Sequence, residues 1–116
     1  CANPEAAKAY EESELCGFTF TDDGYLTLFQ LMKKAYDVKS WHCTSPEMPI
    51  LFVSGSDDPC MGNVRKFSNA VWDMRRAGYR DVKGKLYPGM RHEILNEKDR
   101  QKVYRDLTGY MRKKGF

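Results

Sequence analysis

The chain has 116 residues, of which 41% are hydrophobic and 30% are charged, and this composition is typical of one globular domain or part of a larger one. Its net charge of +3 comes from lysines and arginines scattered among acidic residues, so a nucleic-acid groove is not expected. The longest apolar run, Ile50–Val53, is far shorter than a membrane span. The sequence therefore predicts no nucleic-acid partner and no stable membrane insertion.

The cysteines are widely spaced, and none forms a Cys-x-x-Cys pair: Cys1, Cys16, Cys43 and Cys60. An even number permits disulfides, but the spacing does not match a structural zinc site. We expect free thiols, a cytoplasmic location, and neither a metal nor another cofactor. The first residues show no initiator methionine and no signal-peptide pattern, and we expect the chain to be an excised or processed piece of a longer protein.

The first part of the chain is predicted to be helical. Asn3 precedes Pro4, which is a favourable helix start, and a short helix should run to about Glu12. An apolar loop at residues 16–20 follows and is expected to be buried, and Thr21 then caps a second helix. The apolar residues of this second helix recur at helical spacing, and we interpret their stripe as core: Tyr25, Leu28, Phe29, Met32 and Tyr36.

A stretch with two prolines, residues 44–49, marks the clearest boundary in the chain. After it, the continuously apolar Ile50–Val53 predicts a strand that is covered on both faces. Residues 63–77 are predicted to form a helix that ends at a glycine. Val82–Tyr87 includes two lysines and predicts an edge strand with one solvated face. Residues 96–112 are predicted to form a last helix, with its first residue as the cap.

The order β-α-β-α after the boundary predicts the α/β fold class with a parallel sheet. Two strands cannot bury a sheet face on their own, so we expect an incomplete fold. The unpaired edge of the first strand would then expose backbone groups and apolar side chains. The isolated chain is therefore expected to dimerise through this edge, to exchange its helices with a second copy, or to aggregate.

An acidic residue and a histidine follow the two predicted strands. The first strand leads into Gly55–Pro59, which contains Asp57 and Asp58, and the second leads into Gly89–His92. Because parallel strands end at the same edge of a sheet, these two loops should lie side by side. Each residue alone is also a common turn residue, but an aspartate beside a histidine forms the acid–base half of a nucleophilic triad.

The residues of both loops resemble motifs of α/β-hydrolases of the lysophospholipase and monoglyceride-lipase-like group, which are also classed with serine aminopeptidases. "SGSDDP" resembles the Gly-x-x-Asp turn of that group, in which the acid is the fourth residue, so the resemblance selects Asp58 and not Asp57. "YPGMRHE" resembles its Gly-x-x-His loop and selects His92. "ELCGFTFTDDGYLTLFQL" resembles the end of the helical cap of the same group.

The resemblance implies the C-terminal β-α-β-α portion of an α/β-hydrolase sheet preceded by helices of the cap. Residues 1–45 would be the C-terminal part of the cap, and residues 46–116 the C-terminal segment of the core. The implied activity is hydrolysis of a small-molecule ester or a lipid, such as a lysophospholipid or a monoacylglycerol, with Asp58 and His92 as catalytic residues. The stripe of the second helix could then line an acyl-chain channel, and core packing explains the same pattern equally well.

The nucleophile of this family is a serine on a Gly-x-Ser-x-Gly turn, and the sequence contains no such pattern. The isolated chain is therefore expected to be inactive, and a longer parent protein to be a serine hydrolase. Two alternatives stay open: a fragment of an aminopeptidase-type α/β-hydrolase, and a non-enzymatic binding module of β-α-β-α type.

Overall fold

The computed structural model describes all 116 residues, and its regular elements are four α-helices and two strands. In chain order these are α1 (Pro4–Glu11), α2 (Asp22–Ala35), β1 (Ile50–Gly55), α3 (Val64–Arg76), β2 (Val82–Tyr87) and α4 (Arg100–Lys113). Short 3-10 turns at Val38–Ser40 and Pro59–Met61 lie between them. None of the helices is long and apolar enough to cross a membrane.

The first two helices begin at the capping residues that the sequence predicts, and α3 begins at a cap that the sequence analysis did not assign. Asn3 Oδ1 accepts a hydrogen bond from the Glu5 N–H over 3.2 Å, and Thr21 Oγ1 accepts one from the Gly24 N–H over 3.2 Å. Asn63 caps α3 in the same way, through its Oδ1. Each of these side chains satisfies an N–H group that the first turn of a helix leaves without a backbone partner.

The start of α4 differs from the prediction. This helix begins at Arg100, and Asn96 lies in the turn before it. The backbone N–H of Asn96 donates to the Glu93 carbonyl over 2.9 Å, and its side-chain Nδ2 donates to Glu93 Oε2 over 3.2 Å. Asn96 therefore closes a local turn, as asparagine often does, and Asp99 precedes the helix without a side-chain capping bond.

The two strands pair in parallel, in a register that runs from Ile50 opposite Val82 to Gly55 opposite Tyr87. Both strands consequently end at the same edge of the sheet. Gly84 of β2 gives α3 room to pack on one face, because a Cβ at this position would lie 2.7 Å from Cε1 of Phe67. The prediction of two parallel strands joined by a helix is confirmed by this arrangement.

The hydrophobic core lies on the other face of the sheet. Side chains alternate between the two faces along a strand, so Tyr87, three residues after Gly84, belongs to the face opposite the one that α3 covers. Tyr87 and Val103 are its most deeply buried members, at 1% and 0% exposure. The complete cluster consists of Tyr87, Met90, Ile94 and Val103, with Val53 and Leu107 packed against it. Two of these residues, Met90 and Ile94, lie on either side of His92 in the chain. The core therefore also holds the histidine loop against the sheet.

The apolar residues before the boundary are exposed, which corrects two predictions. In the loop that was expected to be buried, Phe18 is 66% exposed and Phe20 is 48% exposed. The stripe on α2 that we interpreted as core is also open to solvent, with Phe29 at 60% exposure. The rings of Tyr25 and Phe29 stack on each other, and Phe20 contacts Tyr25 edge-on, but these contacts leave most of the stripe open to solvent.

The molecule exposes more surface than a compact domain of its mass. Its accessible area is 9062 Å², against about 6,500 Å² for a folded monomer of 13.5 kDa. Its radius of gyration is 16.6 Å, against about 13 Å for a compact domain of this length. Residues 50–54 of β1 are only half-buried, so the complete burial predicted for this strand is not reached within this chain, where β1 pairs with a strand along one edge alone.

Candidate functional site

Asp58 and His92 meet at the edge of the sheet where both strands end. Asp58 follows β1 by three residues, and His92 follows β2 by five. The Oδ2 atom of Asp58 lies 3.1 Å from Nδ1 of His92, although the two residues are 34 positions apart in sequence. The structure thus brings together the two residues that the sequence singles out.

The carboxylate of Asp58 is buried and receives hydrogen bonds on both oxygens. Its side chain is 7% exposed. Oδ1 accepts from the Cys60 N–H over 2.8 Å, and Oδ2 accepts from the Ser54 hydroxyl over 3.2 Å in addition to its contact with His92. Asp58 is therefore held in place from two sides, by β1 and by the turn that follows it.

The pKa of Asp58 is shifted below its ordinary value of 3.8. Burial is the largest single influence and acts in the opposite direction, because it disfavours the charged form. The hydrogen bonds from His92 and the Cys60 amide, the charge of His92 and the bond from Ser54 together outweigh burial. Asp58 is consequently ionised near neutral pH and can accept a hydrogen bond from Nδ1–H of His92.

His92 has the orientation that a general base requires. Because Nδ1 faces Asp58, the other ring nitrogen, Nε2, is left to act on a substrate or a nucleophile. The side chain is 64% exposed, so the ring is accessible from solvent. An ionised carboxylate on Nδ1 fixes the tautomer of the ring and stabilises the imidazolium that forms when Nε2 takes a proton.

Three hydrogen bonds join the aspartate loop to the end of β2 and to the histidine loop. The Ser56 N–H donates to the Tyr87 carbonyl over 2.9 Å, and the Asp57 N–H donates to the Met90 carbonyl over 3.0 Å. In the reverse direction, the Gly89 N–H donates to the Ser56 hydroxyl over 2.9 Å. These bonds continue the pairing of the two strands into the loops, and they fix the distance between Asp58 and His92.

Gly55 permits the close approach of the two loops. A Cβ at this position would lie 2.1 Å from the Met90 carbonyl oxygen and 2.4 Å from the Arg91 carbonyl oxygen. Both atoms belong to the backbone and cannot move aside as a flexible side chain could. Only glycine fits where the histidine loop crosses the end of β1.

A third side chain with ligand chemistry lies beside the pair. One ligand atom each of Asp58, Cys60 and His92 lies within 4.8 Å of the others. A structural zinc site has four ligands, each about 2.0–2.3 Å from the metal. Here there are three, and two of them are already bonded to each other. The donor set is that of an acid–base pair with a neighbouring thiol and does not fit a structural metal site.

Neither serine near Asp58 is positioned as a nucleophile. The hydroxyl of Ser54 donates to Asp58 Oδ2 itself, and that of Ser56 donates to Asp57 Oδ1 over 2.6 Å. Ser54 supports the acid, a role that the sequence analysis did not assign. The two serines lie in the same turn as Asp58, and no serine donates to the ring of His92.

Glu97 is a second residue that the sequence analysis missed. It is 3% exposed, and its Oε1 accepts a hydrogen bond from the Arg91 N–H over 2.9 Å, directly before His92 in the chain. No local pattern predicts this contact, because five residues separate the two and a glutamate in a polar turn is usually solvated.

One groove is lined by residues of α2 and by the acid–base pair. Its walls combine apolar residues of α2, β1 and α3, among them Met32, Phe52 and Phe67. Asp58 and His92 lie in its lining. The exposed stripe of α2 and the candidate site therefore share one continuous surface.

Comparison with protein families supplies the identification. Residues 1–99 match the family described as "Serine aminopeptidase, S33". This chain belongs to the serine aminopeptidase S33 family of α/β-hydrolases. No curated protein and no solved structure shows a significant match. The expected membership of the α/β-hydrolases is confirmed, and the helices with a parallel pair of strands agree with an α/β fold.

The match to the S33 family extends over both predicted parts of the chain, since it includes α1 and α2 as well as both strands and the two loops. An α/β-hydrolase-type function follows from this membership.

Proposed function

We propose that this chain supplies the acid and the base of a serine ester hydrolase of the lysophospholipase or monoglyceride-lipase-like kind. The observation that carries the proposal is the contact between Asp58 Oδ2 and His92 Nδ1. In a Ser-His-Asp triad the acid faces Nδ1, and Nε2 receives the proton of the nucleophile. The buried, ionised state of Asp58 and the accessible ring of His92 support these two roles.

The proposed reaction divides into two steps. Nε2 of His92 takes the proton of a serine hydroxyl while the serine oxygen attacks the ester carbonyl, and the alcohol leaves with that proton. Nε2 then removes a proton from water while the water oxygen attacks the acyl-enzyme carbonyl, and the serine oxygen leaves with that proton, which releases the acid and restores the serine and the neutral His92. In both steps His92 becomes an imidazolium, and the carboxylate of Asp58 stabilises its charge.

The serine and the oxyanion donors belong, in this proposal, to a longer protein of which this chain is the C-terminal part. Residues 1–45 are then the end of its helical cap, and residues 46–116 the end of its core. Three observations support this: the sequence has no Gly-x-Ser-x-Gly turn, β1 pairs with a strand on one side alone, and the surface area exceeds that of a compact domain. Without a nucleophile the isolated chain does not hydrolyse esters.

An ester with an acyl chain is the proposed substrate because of the groove. Apolar side chains of α2, β1 and α3 make up much of its lining, together with Lys66 and Asp73, and the acid–base pair lies in the same lining. An acyl chain that lies along these walls would bring its ester group to His92. We propose a cytoplasmic location, which the four free cysteines support. We propose no cofactor, since the triad chemistry needs none.

Aminopeptidase-type hydrolysis is the second candidate, and the description of the family favours it. Its triad is the same, so the acid–base pair does not separate the two activities. A binding module without catalysis is a third alternative, in which Asp58 and His92 would be dispensable for every activity.

Labelling with a fluorophosphonate, followed by mass spectrometry, tests the proposal. We expect no label on the 116-residue chain and one labelled serine, before Cys1, in the longer protein. His92→Ala is expected to reduce ester hydrolysis by the longer protein by at least about 10³-fold, whereas His42→Ala, which changes the other exposed histidine, should leave it unchanged.

A matched pair of variants distinguishes the contributions of Asp57 and Asp58 to activity. Asp58→Asn should lower activity by about 10³-fold or more, and Asp57→Asn by no more than a few-fold. Failure of the longer protein to react with the probe, or equal effects of the two aspartate variants, would refute the assignment. Hydrolysis of aminoacyl amides in preference to acyl esters would favour the aminopeptidase alternative.

A further inference from the structure

Glu97 has an unusual environment for a residue in a surface turn. Its side chain is buried, with the residue at 3% exposure, and burial alone would raise its pKa. The backbone hydrogen bonds from Ala2 and Arg91, together with the positive charge of the N-terminal amine and a bond from the Asn3 backbone, outweigh this effect and lower the pKa below its ordinary value. An ionised carboxylate buried in this way has a large desolvation cost, so its hydrogen bonds are needed to keep it there.

The bonds from Ala2 and Arg91 converge on one atom. Oε1 of Glu97 accepts from the Ala2 N–H over 2.7 Å and from the Arg91 N–H over 2.9 Å. A further bond lies beside them, from Nδ2 of the buried Asn3 to the Asn96 carbonyl over 2.9 Å. The segment before α1 is therefore attached to the turn that follows the histidine loop.

The position of Arg91 gives this arrangement its significance. Its N–H belongs to the residue directly before His92, and its carbonyl oxygen crosses Gly55 at the end of β1. The Glu97 bond holds the backbone of the histidine loop from one side, while the bond from the Asp57 N–H to the Met90 carbonyl holds it from the other. Charge-assisted bonds from N–H to carboxylate are about twice as strong as neutral ones.

We propose that Glu97 is a positioning residue for His92, which keeps Nδ1 within hydrogen-bonding distance of Asp58 and ties the segment before α1 to the same loop. The proposal rests on the proposed function in one respect, because it assumes that the Asp58–His92 contact is the one used in catalysis. Glu97 does not touch the substrate in this scheme and acts through the backbone of Arg91.

The test uses the 116-residue chain itself and two NMR readouts that need no enzymatic activity. The first is the pKa of Asp58, measured from its carboxyl carbon. In Glu97→Ala this pKa should rise, because Asp58 loses the hydrogen bond and the charge of His92 while its burial remains. The second is hydrogen exchange of the Arg91 amide, which should become at least about tenfold faster.

The conservative variant Glu97→Gln keeps an oxygen that can accept both N–H bonds but removes the charge. It should restore Arg91 protection and the pKa of Asp58 part of the way towards the wild type. Glu11→Ala and Glu11→Gln are matched controls, since Glu11 is exposed on α1, and they should change neither readout. Amides of the β1–β2 pairing report whether the fold is intact.

An unchanged pKa of Asp58 in a folded Glu97→Ala chain would overturn the proposal. Equal acceleration of exchange at Arg91 and at the β1–β2 amides would also overturn it, because Glu97 would then support the whole fold and not the loop. If Glu97→Ala does not fold, Glu97→Gln decides by the same criteria. Failure of the fluorophosphonate experiment would leave these readouts unaffected, so the two proposals fail separately.

Discussion

At the scale of single residues, the site depends on Gly55, a residue that has no side chain to take part in a reaction. Gly55 is placed where the histidine loop crosses β1, and any side chain there would meet the backbone of Met90 and Arg91. The sequence motif identifies this glycine by its distance from Asp58. Its physical role is visible only once the second loop is in place.

Gly55→Ala is predicted to destabilise the chain by about 1–3 kcal/mol, as overpacking of a tight contact does. The matched control is Gly109→Ala in α4, where a Cβ would meet nothing within 4 Å, and which should stabilise the helix by up to about 1 kcal/mol. Urea unfolding followed by circular dichroism measures both. Stabilisation by both variants would contradict the predicted close approach of the loops.

Asp58 should also make stability depend on pH. Because its pKa is lower in the folded chain than the ordinary value of 3.8, it contributes stability above about pH 4, and this contribution is lost as the pH falls through the folded pKa. Asp58→Asn should therefore be less stable than the wild type at neutral pH, and the difference should shrink in acid. Urea unfolding between pH 3 and 7 tests this, with Asp57→Asn as the control for removal of one charge from the loop.

At the scale of elements, the helices differ in how they begin. Asn63 accepts a hydrogen bond from the Lys66 N–H over 2.9 Å at the start of α3, whereas Asp99 makes no such bond before α4. The difference arises because the chain before α4 is already engaged in the turn at Asn96. Tertiary contacts of that turn, including the bond from Asn3, override the local preference of asparagine for the cap.

Asn63→Ala is predicted to lower the free energy of unfolding by about 1 kcal/mol, the usual cost of a lost capping bond. Asp99→Ala should cost clearly less, because no side-chain bond is lost. Thermal or urea unfolding of the two variants gives the comparison. An equal loss of stability in both would show that the capping bond of Asn63 contributes little.

At the scale of the whole molecule, two surfaces are exposed that could bind another chain: the unpaired edge of β1 and the apolar stripe on α2. A strand with one bare edge tends to pair with another chain, and exposed apolar patches of this kind promote association. The isolated chain is therefore predicted to self-associate, with a dimer as the smallest form. Sizing with light scattering over a hundredfold range of concentration tests this, and a monodisperse monomer throughout would count against it.

A variant of α2 separates the two surfaces. Phe29→Glu places a charge on the exposed stripe and should dissociate a dimer formed by exchanged or packed helices. It should leave a dimer formed through the β1 edge intact. Lys33→Gln, on the same helix, is the control, because it lowers the net charge by the same one unit.

The sequence by itself determined the helices and strands, the caps at Asn3 and Thr21, and the order in which Asp58 and His92 follow their strands. These features are set by side-chain periodicity and by hydrogen bonds within a few residues, so they can be predicted locally. The family motifs added which of the two neighbouring aspartates to choose, and Asp58 is the one that contacts His92 in the structure.

Only the tertiary structure decided the features that depend on segments far apart in the chain. The distance between Asp58 and His92, the crossing at Gly55 and the burial of Glu97 all arise where two loops and the segment before α1 converge. The stripe on α2 shows the limit of a local pattern. Helical periodicity predicts an apolar face, but it does not predict whether another part of the protein covers that face. Burial is a property of the partner surface as much as of the sequence, and within this chain that surface is absent.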